Sequence, residues 1–194
     1  MALIQSTQRH EKYLRELGEI MKLNLGSGDS IFQGFTSVDL YDPKADIQAD
    51  ICDLPFDDNS VEEIVAFQVI EHVEYWKEND LFREMYRVLE PGGRAIVECP
   101  DMEYMAKAIV ENPDIEDKWV YSIYGQYYRP WDKERYPDAE NHEGSKHRNA
   151  FTFAKIKRIC EPLGFIVRLR EMSEKHPDYR YPETLSVELK KGQE

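Results

Sequence analysis

A chain of 194 residues, 41% of them hydrophobic and with no Pro-, Gly- or Ser-rich linker, is sized for one domain (1–194) with its own core. The formal net charge of −13 argues against nucleic acid as a partner. No dense Lys/Arg cluster overrides it; the nearest, Lys155-Ile156-Lys157-Arg158, reads as a helix face. No apolar run approaches the about 18 residues of a membrane span, and residues 1–15 lack a signal-peptide core, so no membrane association is expected. Cys52, Cys99 and Cys160 are too scattered for a disulfide framework or a zinc pattern, which makes the cytoplasm the expected compartment.

Residues 6–19 read as a helix with Tyr13, Leu14 and Leu17 near one face and Gly18 at its end. A strand, Met21 to Leu25, runs into Gly26-Ser27-Gly28, a turn that needs unusual dihedrals or lets a ligand approach the backbone. A second strand, Phe35 to Leu40, carries Asp39 near its end. The ten residues between Gly28 and Asp39 are too few for a crossover helix, so a truncated helix or single turn is expected over Ser30 to Gln33. Ile47 to Cys52 is a weak third strand, followed by the loop Asp53-Leu54-Pro55-Phe56. Glu63 to Phe67 is a buried fourth strand. Asp80 to Leu89 is an amphipathic helix with Leu81, Met85, Val88 and Leu89 inward, stopped by Glu90-Pro91-Gly92-Gly93.

A fifth strand spans Arg94 to Cys99, and a helix follows over Met102 to Glu111. Residues 112–150 form an aromatic-rich insertion without clean periodicity, of the kind that is usually functional. Phe153 to Leu163 reads as a helix, Phe165 to Leu169 as a strand, and Thr184 to Leu189 as a last, alternating strand. The link between those strands carries Pro177 and Pro182 and no helical period, so they should run antiparallel. Strands separated by helices predict an α/β fold: a Rossmann-like, doubly wound, mostly parallel sheet, with a truncated first crossover and a C-terminal antiparallel strand.

In such a sheet, ligands bind beyond the carboxyl ends of the strands, where Gly26, Gly28, Asp39, Asp50 and Gln68 would gather. The glycine turn, Asp39, Asp50 before Leu54-Pro55-Phe56, Glu71-His72, and Leu89-Glu90-Pro91-Gly92-Gly93 together resemble the class I S-adenosylmethionine-dependent methyltransferases over about residues 20–100. The small-molecule branch, with compact sugar- and glycan-pathway enzymes, is the most similar; Lys146-His147-Arg148-Asn149-Ala150-Phe151-Thr152 also fits it. The resemblance implies S-adenosyl-L-methionine as cofactor and S-adenosyl-L-homocysteine as product. It places Leu25, Gly26, Ser27 and Gly28 under the methionine and ribose. It puts Asp39, with Leu40, at the ribose hydroxyls, Asp50 and the Ile51 amide at the adenine, Gln68 near the methionine end, and His72 beside it. Asn24 stands where the family usually has an acid, and Ser30 where it has a third glycine.

The implied activity is methylation, here of a small hydroxyl acceptor such as a sugar or glycan precursor. The alternative is a non-catalytic, cofactor-binding or scaffolding subunit. A hydroxyl must lose its proton, for which His147, His142, His72 and Asp101 are candidates, His147 foremost. The insertion would close over the acceptor or serve a homodimer contact. No metal is expected, because His142-Glu143 and His147 lack a one-face helical spacing. A nicotinamide dehydrogenase and a P-loop hydrolase are excluded by the missing third glycine and the missing Gly-Lys-Ser/Thr.

Overall fold

The computed structural model describes residues 21–28, 30, 32–112, 114, 122–125, 146–177 and 181–193. The predicted N-terminal helix, His142 and most of the aromatic insertion lie outside them.

The strands are β1 (Lys22–Leu25), β2 (Thr36–Asp39), β3 (Ile47–Gln48), β4 (Val61–Phe67), β5 (Leu89–Pro100), β6 (Phe165–Leu169) and β7 (Thr184–Lys191). They form one sheet in the order β3-β2-β1-β4-β5-β7-β6. The pairs among β1 to β5 are parallel, and β7 lies antiparallel to both β5 and β6. The expected antiparallel last strand is therefore present, inserted between β5 and β6. Strand order reverses at β1, whose neighbours are β2 and β4, so a crevice opens beyond its carboxyl end.

Helices α1 (Glu78–Val88), α2 (Met102–Glu111) and α3 (Phe153–Cys160) flank the sheet, with short 3-10 turns such as Ile70–His72 and Tyr75–Lys77 between elements. Asp101 caps α2 by accepting from the Glu103 and Tyr104 N–H groups, and Thr152 caps α3 by accepting from Lys155 N–H. Between β1 and β2 the described residues hold no helix. Asn24 donates to the Ser30 carbonyl at 2.9 Å, and a turn closes from Phe32 to Phe35. The crossover is truncated, as its length requires.

Three features of the sheet depart most from the sequence expectation. β3 shrinks to Ile47–Gln48, because the chain then bends and Ala49 N–H bonds back to the Asp39 carbonyl. Pro91-Gly92-Gly93 does not separate helix from strand. β5 already pairs at Leu89 with Val61, and a register shift before the Glu63–Arg94 pair absorbs these residues. β7 alternates in sequence, yet Thr184 and Ser186 are as buried as Leu185 and Val187, because both of its faces are covered.

Register gives the sheet two unlike faces. One carries the rows Leu23–Ile64–Ala95–Leu189 and Leu25–Ala66–Val97–Val187, joined in a single core with Leu81, Phe82, Met85 and Val88 of α1 and Ile156, Ile159 and Cys160 of α3. The other carries Lys22, Glu63 and Arg94 side by side, with Glu63 accepting from Lys22 at 2.8 Å and from Arg94 Nε at 2.8 Å. On the same face Glu98 is fully buried, held by Arg170 at 3.1 Å, Ser186 Oγ at 2.7 Å and the His176 N–H at 3.0 Å. All three cysteines are free thiols. No helix of the described residues is long and apolar enough to cross a membrane.

Candidate active site

The turn after β1 is built from two left-handed glycines, Gly26 (φ 62°) and Gly28 (φ 47°). Their roles differ. A Cβ on Gly26 would overlap the Val69 side chain, whereas one on Gly28 would meet nothing and project into open space. Gly26 thus lets β1 pack under the residues that leave β4, and Gly28 keeps the crevice open.

Two hollows meet at this turn and share Gly26, Gly28 and Gln68. The larger, about 510 Å³, is walled by Asp39, Leu40 and Tyr41 after β2, by Asp50, Ile51 and Cys52 after β3, and by Val69, His72, Val73, Glu74, Lys77 and Arg148. The smaller, about 220 Å³, is walled by Asn24, Ser27, Ser30, Phe32 and Phe67. Of the expected cofactor residues, the structure brings Gly26, Gly28, Asp39, Leu40, Asp50, Ile51, Gln68 and His72 to the larger cleft and Ser27 to the smaller. Leu25 is buried beneath the turn and lines neither.

Asp39 does more than face the cleft. Its Oδ1 accepts from the Tyr41 and Asp42 N–H groups and its Oδ2 from the Gly28 N–H at 3.0 Å, so it ties the glycine turn to the end of β2. An ionised carboxylate has about four acceptor positions, so one on Oδ2 stays open toward the cleft. Asp50 Oδ1 accepts from the Cys52 N–H, and Oδ2 lies 3.3 Å from Lys77 Nζ. Burial works against its ionisation, but the Cys52 N–H and the Lys77 ammonium outweigh it and hold its carboxyl below the usual range. Burial, with Asp50 beside it, pushes the Cys52 thiol up to about 12.

Beside the larger cleft lies a cluster that the motif reading assigned no shared role. Glu71 is 2% exposed, and both its carboxyl oxygens lack a hydrogen-bond partner. Its backbone carbonyl accepts from the Arg148 and Asn149 N–H groups, which docks residues 146–150 against the turn leaving β4. His147 Nε2 consequently stands 3.8 Å from Glu71 Oε1, and the His147 and His72 rings meet edge to face at 4.8 Å. Burial pushes the Glu71 carboxyl up to about 8. Burial and the neighbouring His72 depress His147 to about 4. His72 is lowered too, chiefly by burial, with the nearby Arg148 cation adding to it against the Lys146 and Gln68 carbonyls. His147 does not line the cleft; His72 does.

The remaining catalytic candidates are placed as follows. The Asp101 carboxylate serves the N-terminus of α2. His142 lies outside the described residues. Sequence reading passed over Val69, Lys77 and Arg148 on the wall. Only the excluded Cβ at Gly26 explains Val69, and no local pattern marks the other two.

The residues fit S-adenosylmethionine. The glycine cradle opens where a Cβ would intrude, Asp39 has an acceptor position to spare, and the buried Ser27 Oγ has no partner within the protein. Asp39→Ala should weaken S-adenosylhomocysteine about tenfold or more, since charge-assisted hydrogen bonds contribute about 1.5–3 kcal/mol. Calorimetry against the parent protein measures this; unchanged affinity would remove Asp39 from the site.

Comparison with known proteins agrees with this geometry. Residues 25–97 match the family model described as a methyltransferase domain. A probable S-adenosylmethionine-dependent methyltransferase of Mycolicibacterium smegmatis is 42% identical over 60 residues, which are 30% of this chain and 23% of that protein. The matched part thus spans about a quarter of that relative. A S-adenosylmethionine-dependent methyltransferase from Archaeoglobus fulgidus superposes with a TM-score of 0.55 at 13% identity, over 95% of this chain and 94% of its own. One from Mesorhizobium loti does so with a TM-score of 0.55 at 18% identity, over 89% and 91%. A Burkholderia thailandensis N1-methyltransferase crystallised with S-adenosylhomocysteine gives 0.52 at 12% identity, over 92% and 74%. At these identities the structures speak for the fold alone, while the sequence match covers the glycine turn and both acidic strand ends. Together they show that residues 25–97 match a methyltransferase domain and that the sheet has the fold of S-adenosylmethionine-dependent methyltransferases.

Proposed function

We propose that this domain moves a methyl group from S-adenosylmethionine to a small hydroxyl-bearing acceptor; the motif resemblance points to a sugar or glycan precursor. The cofactor supplies an electrophilic methyl on a sulfonium. The protein's part is to align the acceptor with it and to deal with the hydroxyl proton. What carries the hydroxyl reading is the Glu71–His72–His147 cluster beside the cleft. An amine can attack as its free base, whereas a hydroxyl must lose a proton in the transition state. The depressed His147 imidazole is neutral at working pH, and its Nδ1 lies 2.9 Å from the Ser122 carbonyl. The Nδ1 proton goes to that carbonyl, so Nε2 keeps its lone pair. Asp101 is committed to α2 and His142 lies outside the described residues, so we assign proton removal to this cluster. His147 is the acceptor, and His72 is the member that reaches the wall.

The test supplies S-adenosylmethionine carrying a ¹³C-methyl group to a panel of sugars and phenols and to matched amines. The carbon shift of the product distinguishes methoxy from N-methyl. Methoxy products are expected, with His147→Gln slower by about 10²–10⁴-fold. N-methyl products alone would overturn the reading, as would tight S-adenosylhomocysteine binding with transfer to no acceptor.

A further inference from the structure

We propose that Glu71, His72 and His147 form a divalent-cation site of the zinc type, with its open position toward the larger cleft. One ligand atom from each of the three lies within 4.8 Å of the other two. The donor set, two imidazoles and one carboxylate, is that of three-ligand zinc centres, which keep a fourth position for water or substrate. His72 lines the cleft, and this gives the fourth position an outlet.

Two further observations point to a ligand. The first is the carboxyl of Glu71, 2% exposed, with both oxygens unpartnered and Oε1 turned toward His147 Nε2 at 3.8 Å. A neutral acid in that place would still leave two buried oxygens without partners, which is costly in a low-dielectric interior. A cation would engage them. The second is the orientation of the rings. Nδ1 of His72 lies 3.0 Å from the Lys146 carbonyl, and Nδ1 of His147 lies 2.9 Å from the Ser122 carbonyl. Metal-binding histidines are held this way, donating the other ring N–H to a backbone carbonyl or a carboxylate so that the remaining nitrogen faces the metal. Two touching histidines with the same kind of outer partner, a backbone carbonyl, beside an unpartnered carboxyl form such an arrangement.

The spacing is that of an open site. Bonds of about 2.0–2.1 Å in a tetrahedron set ligand atoms about 3.4 Å apart. The Glu71–His147 pair is already near this, and the widest pair must close by about 1.4 Å through side-chain rotation. Cation binding stands apart from the methylation reading. Its use rests on that reading: an acceptor hydroxyl bound at the cation's fourth position would have its pKa lowered and would give its proton to solvent water in the cleft rather than to a ring nitrogen.

The test adds CoCl₂ and, separately, ZnCl₂ to chelator-treated protein and needs no acceptor. One equivalent of Co²⁺ should give the intense visible bands of four- or five-coordinate cobalt, displaced by Zn²⁺. Glu71→Gln keeps the shape of the neutral acid and should bind either metal about a hundredfold more weakly, as should His147→Gln. Glu90→Gln, an exposed acid elsewhere, should bind like the parent. S-adenosylhomocysteine binding by Glu71→Gln shows that the variant is folded. Weak octahedral bands, or uptake equal in parent and Glu71→Gln, would mean surface carboxylates and overturn the site. So would the absence of uptake at micromolar metal. Any of these could coincide with normal methoxy production, which separates failure of the metal site from failure of the methylation reading.

Discussion

Gly26→Ala is expected to lose S-adenosylhomocysteine binding and about 2–4 kcal/mol of stability. Two costs combine. A residue with a Cβ at φ 62° is strained, and that Cβ would lie 2.6 Å from the Cβ of Val69. The two can be separated. Val69→Ala removes the nearest atom, Cγ2, and leaves the Cβ, so the double variant should recover part of the overlap cost while retaining the backbone strain of about 1–3 kcal/mol. Chemical denaturation of the two single variants and the double variant supplies the cycle. A Gly26→Ala protein as stable as its parent, with affinity intact, would show that the turn relaxes freely and that neither the dihedral nor Val69 constrains it.

The second large effect lies away from the cleft. Arg170→Ala should cost about 3–5 kcal/mol, the range for breaking a buried ion pair on one side only. Glu98 is fully buried, and Arg170 donates to it and to Ser186 Oγ. Without the guanidinium, Ser186 Oγ and the His176 N–H still donate to Glu98, which favours the lower end of that range. The paired change Glu98→Gln with Arg170→Met removes both charges and should be milder than Arg170→Ala alone, because no lone charge is left inside. Equilibrium urea unfolding of the three variants decides it. A loss below about 1 kcal/mol for Arg170→Ala would mean that water reaches Glu98.

Much of this was legible in the chain. The glycines after Leu25, the acids at Asp39 and Asp50, and a crossover too short for a helix all followed from spacing, since dihedral freedom and chain length are local properties. So did the direction of β7, set by the prolines before it. What was hidden depends on contacts distant in sequence. Glu71 looked like an acid opening a turn, and nothing nearby shows that residues 146–150 fold over it. β7 looked half-exposed, because its polar alternation is matched to Glu98 on β5 and to Arg170 just past β6. The length of β5 was obscured by Pro91-Gly92-Gly93, which a register shift accommodates only because β4 lies alongside.

The insertion of β7 also bears on the order of assembly. Every residue lining the cleft except Arg148 comes from the span Asn24 to Lys77, joined by pairings of neighbouring segments. β5 and β6, by contrast, meet only through β7, and Arg94 must find Lys190 before that part of the sheet exists. Closing so long a loop is slow, because its entropy is spent before any contact repays it. The glycine crevice therefore belongs to the part of the chain that can organise early, and the barrier to completing the domain belongs to the docking of β7. Changes to the crevice act on affinity, while changes along β7 act on how long the protein lingers with two open sheet edges, the state from which it would aggregate.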